Sequence, residues 1–281
     1  MTPQRLGILH PGEMGISLAV SAQKSGREVY WASEGRSLAT QARAGRFGVR
    51  DAGSVAALCA TCEVVVSVCP PHAAEALARD VVAAGFRGLY VDANAISPQR
   101  AVEIGRLMAE AGVSFVDGGI IGGPAWQPQS TWLYLAGPQA EEAAECFAVG
   151  PLETRILGEE IGTASALKMC YAAYTKGTTA LLCAILATAD RLGVREALYE
   201  QWNQDEADFA EGVDRRVRGV TAKAWRFAGE MEEIAATLDA AGLPSGFHLA
   251  AADVYRRLAP FKGAPETPTL EAVLAALLEP D

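Results

Sequence analysis

Histidine is scarce in this chain of 281 residues: there are three, with six cysteines and five tryptophans. Zinc centres need clustered histidine, cysteine or carboxylate ligands. The one cysteine group, Cys59-x-x-Cys62 with Cys69, has no suitably spaced histidine or fourth cysteine beside it. No metal centre is expected. The thiols (59, 62, 69, 146, 170 and 183) lie mostly in apolar segments, as reduced core cysteines do. Positive charge is also short. Against 34 Asp and Glu stand 24 Lys and Arg, a net charge of −10, which argues against nucleic acid as a partner. Long apolar runs are missing too. The strongest, "ALLCAILATA" at 180–189, is roughly half of a membrane span and lies between Lys176 and Asp190. The opening "MTPQRLGIL" lacks the apolar core of a signal peptide, so the expectation is a cytoplasmic protein with no membrane partner.

Half of the residues are hydrophobic and 21% are charged, the balance of a packed globular protein. In the first half, short apolar bursts alternate with alanine-rich stretches. The bursts are "RLGIL" (5–9), "EVYWA" (28–32), "EVVVSVC" (63–69), "GLYVDA" (88–93), "SFVDGG" (114–119) and "STWLYLAG" (130–137). Helical patterns at 14–25, 54–60, 72–84, 98–111 and 140–150 separate or follow them. That alternation predicts an α/β fold, a Rossmann-like doubly wound parallel sheet covered on both faces. From Gly162 the strand signal disappears, and helices are expected at 163–192, 195–210, 214–228, 229–241, 246–258 and 269–278. The expected organisation is a dinucleotide-binding domain at 1–161 and an all-helical substrate and dimerisation domain at 162–281.

Between the first strand and its helix lies the loop His10-Pro11-Gly12-Glu13-Met14-Gly15. Gly12 lets backbone approach a pyrophosphate, Gly15 lets the helix pack on the sheet, and the helix N-terminus offers free N–H groups to phosphate. The first glycine of the usual G-x-G-x-x-G is His10 here, so the loop alone favours binding but also allows a plain strand–turn–helix. The second strand ends in "ASEGR", placing Ser33 where an NAD site carries a carboxylate and Arg36 three residues on. A hydroxyl and a guanidinium suit a 2′-phosphate, which favours NADP with NAD as the alternative; Glu34 lies between them.

Five stretches in order resemble the β-hydroxyacid dehydrogenase family, which includes 3-hydroxyisobutyrate and 6-phosphogluconate dehydrogenases. They are "GILHPGEMG" (7–15), "VVVSVCPP" (64–71), "VDANAISP" (91–98), "FVDGGIIGGPA" (115–125) and "GTASALKMCYAAYTKG" (162–177). The resemblance implies an oxidoreductase in which Cys69 and Pro70 lie beside the nicotinamide ribose and Asn94 near the nicotinamide. It implies substrate contacts at Gly122 and Gly123, and Lys168 as general acid/base. The residues agree: Lys168 sits among Ala166, Leu167, Met169 and Cys170, and an apolar setting lowers a lysine pKa toward acid–base work.

Departures set this chain apart as a divergent branch with its own C-terminal domain type. Ile121 replaces a usual serine, and Tyr171 and Ala172 stand where asparagines usually follow the lysine. Tyr171 either offers a hydroxyl to substrate or packs. Glu230 falls near the family's later lysine–aspartate pair, where a carboxylate would repel an acid and attract an amine. The expected activity is alcohol–carbonyl interconversion on a small β-hydroxy acid or derivative. The alternatives are imine reduction on the same scaffold and non-catalytic nucleotide binding. A homodimer pairing through the helical half is also expected.

Overall fold

Strand residues that alternate between two apolar faces must be covered on both, and the computed structural model, which describes residues 4–279, shows how. The elements run β1 (Arg5–Ile8), α1 (Glu13–Lys24), β2 (Glu28–Trp31), α2 (Leu38–Arg46), β3 (Arg50–Asp51), α3 (Val55–Thr61) and β4 (Val64–Ser67). There follow α4 (Ala74–Ala83), β5 (Leu89–Asp92), α5 (Pro98–Glu110), β6 (Ser114–Gly122), β7 (Thr131–Ala136), α6 (Ala140–Glu145) and β8 (Leu152–Gly158). Val64 and Val66 of β4 join Leu6, Ile8, Leu89, Val91, Ile16 and Leu18 in one buried layer. Val65 turns the other way to join Tyr90, Phe115, Leu58, Ile104 and Met108. The period of two thus builds two cores, one on each face of the sheet.

The eight strands are ordered β3-β2-β1-β4-β5-β6-β7-β8. β1 to β6 are parallel, whereas β7 runs antiparallel to β6 and β8 parallel to β7. The order reverses direction between β1 and β4, the switch point beside which open α/β sheets bind ligands at their carboxyl edge. β5 ends at Asp92, in register with Asp117, so β6 continues for Gly118–Gly122 beyond its neighbour and pairs there with β7.

The helices that follow are α7 (Thr163–Arg191), α8 (Arg195–Asp205), α9 (Phe209–Ala240), α10 (Gly246–Arg257) and α11 (Leu270–Leu278). The chain divides into two compact units, Met1–Met169 and Cys170–Asp281. In the second, α9 is one helix of 32 residues that passes Gly212 and Gly219 without a break, where the sequence pattern suggests two helices meeting at 228–229. Buried Val213, Val217, Thr221, Ala224, Phe227, Met231 and Ile234 recur at helical spacing along it, and that continuous stripe outweighs the ~1 kcal/mol cost of each glycine. Arg216 of α9 bonds Thr179 Oγ1 at 2.6 Å and the Thr175 carbonyl of α7 at 2.6 Å, and Phe227 meets Tyr255 of α10 edge-on. No helix among the described residues is long and apolar enough to cross a membrane.

Candidate functional site

The loop after β1 explains why one glycine is dispensable and another is not. His10 has an ordinary negative φ, since the only described non-glycine residues at positive φ are Gln129 and Asp208. A side chain there costs no backbone strain. Gly15 has no such freedom, because a Cβ on it would lie 2.0 Å from the His10 carbonyl oxygen. Gly12, at φ −65°, has nothing within 4 Å of where a Cβ would stand, so no protein atom demands a glycine. It opens α1 by accepting from Ile16 N at 2.9 Å, with no side-chain cap on the exposed N–H groups. Empty space over a backbone that needs no glycine, at an uncapped helix N-terminus, leaves room for a phosphate.

Basic groups converge on this loop. Arg36 follows a turn closed by its own N–H to the Ser33 carbonyl at 3.0 Å, with Gly35 at φ +70°. Its buried Nε has no hydrogen-bond partner among the described residues, and neither has His10 Nδ1. Burial, and then the Arg36 guanidinium, push His10 down to about 4. Arg43 of α2, which the sequence pattern does not single out, reaches the Pro11 carbonyl oxygen at 3.5 Å. Glu13 at the start of α1 is exposed, and Met14 half-buried.

At the ends of β4 and β5 a polar knot fixes the next two loops. Asn94 Oδ1 accepts from Cys69 N at 2.6 Å, and Asn94 Nδ2 donates to Ser67 Oγ at 3.0 Å. Asp92 Oδ1 accepts from Asn94 N at 3.0 Å. Asn94 therefore braces the loop of Cys69 and Pro70. Asp92 is fully buried, and burial together with neighbouring Asp117 pushes its carboxyl up to about 7.

Lys168 is positioned from β6. Asp117 Oδ2 accepts from Gly162 N and Ser165 N, each at 3.0 Å, and its Oδ1 accepts from Ser165 Oγ at 2.6 Å. One carboxylate thus caps the first turn of α7. Gly119 lets the helix lie against the strand: a Cβ there would be 2.6 Å from the Ala164 carbonyl and 3.1 Å from Lys168 Cβ. Lys168 Nζ then donates to the Ile120 carbonyl at 2.6 Å, two residues before Gly122. Gly122 ends β6 at φ +119°, where a Cβ would strike the Ser130 carbonyl at 2.3 Å. Thr131 Oγ1 holds the Gly123 carbonyl at 2.7 Å. Ser17 of α1 donates to Met14 O at 2.8 Å and accepts from Ala125 N at 2.9 Å, tying the loop after β6 to the helix after β1. Asp117, Ser17 and Arg43 were not marked by the sequence. Asp117 and Ser17 read as an ordinary strand aspartate and helix serine until their partners, 48 and 108 residues away, are known.

Two candidates belong to the second unit. Tyr171 is 46% exposed. Glu230 is buried and paired with Lys176, whose Nζ also lies 4.2 Å from the Phe227 ring centroid. Tyr255 OH donates to the Lys176 carbonyl at 2.7 Å.

In the first unit, the open space over Gly12, the Arg36 guanidinium with its unpartnered Nε and the switch-point position fit a dinucleotide. Comparison agrees. Residues 5–149 match the family model described as "NAD binding domain of 6-phosphogluconate dehydrogenase", and residues 189–258 match "Domain of unknown function (DUF1932)". A conserved protein of unknown function, noted for structural similarity with 3-hydroxyacid dehydrogenases, is 32% identical at a TM-score of 0.65, covering 90% of this chain and 96% of its own. The 3-hydroxyisobutyrate dehydrogenase of Mycobacterium tuberculosis, solved with L-serine, is 17% identical at a TM-score of 0.70, with 99% and 100% covered. The reductive aminase of Aspergillus terreus, solved with NADPH4, cyclohexanone and allyl amine, is 19% identical at 0.56, with 98% and 99% covered. These last two share the fold.

The two loop glycines are expected to fail differently. Gly15→Ala overpacks the loop against the His10 carbonyl and should cost about 1–3 kcal/mol, lowering Tm by several degrees. Gly12→Ala should leave Tm unchanged within about a degree while weakening dinucleotide binding at least tenfold, the scale of about 1.4 kcal/mol. Differential scanning fluorimetry and fluorescence titration separate them. Equal effects on Tm would remove the cradle assignment.

Proposed function

The chain belongs to the family built on the NAD-binding domain of 6-phosphogluconate dehydrogenase, a divergent branch with its own C-terminal domain type, and on that premise we propose an NADP-dependent alcohol–carbonyl oxidoreductase. It is one of the NAD(P)-dependent oxidoreductases of 3-hydroxyacid dehydrogenase type. The substrate in this reading is a small β-hydroxy acid or derivative. Residues 1–161 hold the dinucleotide, and 162–281 shape the substrate pocket and the dimer.

The observation that carries the reading is Lys168 held at the Ile120 carbonyl, on the part of β6 that projects past β5 toward Gly122 and Gly123. The loop of His10, Pro11, Gly12, Glu13, Met14 and Gly15 lines the dinucleotide with its pyrophosphate at the Gly12 backbone, Ser33 and Arg36 take the adenosine end, and Cys69, Pro70 and Asn94 the nicotinamide end. A bound nicotinamide supplies the hydride acceptor or donor. Lys168 takes the hydroxyl proton from an alcohol substrate and returns it to the carbonyl oxygen in the reverse direction. Its bond to the Ile120 carbonyl fixes where the amine waits, and the Gly122–Gly123 backbone leaves room for substrate beside it.

A second reading, imine reduction, is favoured by Tyr171 and Ala172 following Lys168 and by the exposure of Tyr171. In that case the Tyr171 hydroxyl contributes a proton. Pairing of Glu230 with Lys176 leaves that carboxylate largely neutralised, which weakens its case as an amine attractor and supports the hydroxy-acid reading.

The helical unit exposes Tyr174 (71%), Leu192 (69%), Leu243 (56%), Phe247 (48%), Leu249 (49%) and Leu181 (43%). These apolar groups support a homodimer with isologous contacts through this half. Sedimentation at micromolar concentration should give twice 29.5 kDa, and a lone 29.5 kDa species would count against pairing.

Arg36→Ala should weaken NADPH by about 1–3 kcal/mol, the order of a charge-assisted hydrogen bond, and leave NADH little changed. Equal losses, or tighter NADH binding by the unaltered protein, would sink the NADP assignment. Lys168→Ala should cut kcat about 10²–10⁴-fold with cofactor affinity intact, and Lys168→Arg should also be poor because guanidinium keeps its proton. The assay is nicotinamide absorbance on hydroxy acids, amino alcohols and cyclic imines. Near-normal kcat for the alanine variant would end the acid–base role. Turnover confined to imines would move the second reading ahead.

A further inference from the structure

His10 occupies a position where the backbone accepts any L residue, yet its ring has been given nothing to bond. Its Nδ1 and the neighbouring Arg36 Nε are both buried without a hydrogen-bond partner among the described residues. The groups around them come from four elements. From the turn after β2, Arg36 is the charged group acting on the ring. From α2, Arg43 reaches the adjoining Pro11 carbonyl. From the loop after β4, Cys69 lies within the field of Arg36, and burial pushes its thiol up to about 12, so it stays uncharged. The nearest carboxylates along the chain, Glu13 on α1 and Glu34 after β2, are exposed, and neither perturbs His10. The result is a half-buried cluster of basic side chains with no carboxylate acting on His10.

We propose that His10 is a specificity residue that takes up a proton as a 2′-phosphate-bearing dinucleotide binds, completing with Arg36 a clamp on that phosphate. This rests on the NADP reading above and adds a second discriminating group to it. Without a ligand, burial and Arg36 both disfavour the imidazolium, and the ring is neutral near pH 7. A phosphate monoester carries about −1.5 to −2 charge at that pH. Set between ring and guanidinium, it offsets Arg36 and accepts a charge-assisted hydrogen bond that only the protonated ring can supply at both nitrogens. NAD lacks the 2′-phosphate and brings its pyrophosphate to the Gly12 backbone instead, so it leaves the ring neutral.

The sign of the pH effect follows. The complex binds one proton more than the free protein, so affinity for NADP⁺ rises as pH falls, by up to about tenfold per unit between the bound and the free pKa. Affinity for NAD⁺ stays flat. A 2′-phosphate with its own second pKa near ~6 releases a fraction of a proton on binding arginine, opposite in direction.

The test is titration calorimetry of the full chain at pH 6.5 with NADP⁺ and NAD⁺, in two buffers of different ionisation enthalpy, repeated with His10→Asn. Asparagine keeps the loop conformation accessible and cannot titrate, and an unchanged Tm verifies the fold. The expected result is net uptake of up to about three quarters of a proton for NADP⁺, one gained by the ring less the fraction the phosphate releases, and none for NAD⁺. His10→Asn should abolish the uptake and weaken NADP⁺ about tenfold, the scale of one charge-assisted hydrogen bond, with NAD⁺ unchanged. NADP⁺ binding tighter than NAD⁺ without uptake would overturn the role of His10 and leave the NADP reading standing. Equal uptake with both dinucleotides would assign the proton to the pyrophosphate and overturn it as well. Tighter binding of NAD⁺ than NADP⁺ would remove both readings together.

Discussion

One buried carboxylate, that of Asp117, sets the position of the lysine helix at the carboxyl edge of the sheet. It accepts from Gly162 N, Ser165 N and Ser165 Oγ, so a strand side chain serves as the cap of a 29-residue helix. Burial pushes this carboxyl up from its ordinary range, and the donated hydrogen bonds pull it back. Such a group tolerates burial only because its oxygens are engaged. The helix it anchors can approach because Gly119 carries no side chain. Cap and close approach together determine which helical residue meets the Ile120 carbonyl, and that residue is Lys168.

The opposite flank of the site is held by smaller bonds of the same kind. Ser17 joins α1 to the loop after β6, and Asn94 joins the loop after β4 to the end of β5. Neither residue has a charge to contribute. Each ties two segments into one surface, so that the loop after β1 and Lys168 keep a fixed spacing.

Much of this was legible in the sequence. The short apolar bursts gave the strands of the sheet, and the glycine loop and the segments of the family resemblance around Pro70 and Lys168 lie after β1, after β4 and on α7. What stayed hidden has identifiable causes. β3 has two residues, too few for a period. β8 is largely exposed along "LETRILG" and carries no apolar alternation to read. The divisions expected between 210 and 214 and at 228–229 are absent because a buried stripe runs through both and outweighs local propensity. The histidine in the glycine loop looked like damage to a motif. It is harmless because the chain turns there at negative φ, a fact no spacing rule encodes. Asp117 and Ser17 act over long sequence separations, so only the fold reveals them.

The reversal of the last two strands decides the phase of the lysine. β7 pairs with the projecting end of β6 in the opposite sense, and β8 follows it, so the chain descends to the level of Asp117 before α7 begins. From there the helix must climb alongside β6, and the interval from cap to amine is three residues, Ser165 to Lys168, a rise of about 4.5 Å. The helix behaves as a ruler with its zero at the aspartate. Residues gained or lost between Gly158 and Gly162 lie before that zero and leave the reading unchanged. A single residue gained between Ser165 and Lys168 turns the amine by about 100° and takes it off the strand altogether.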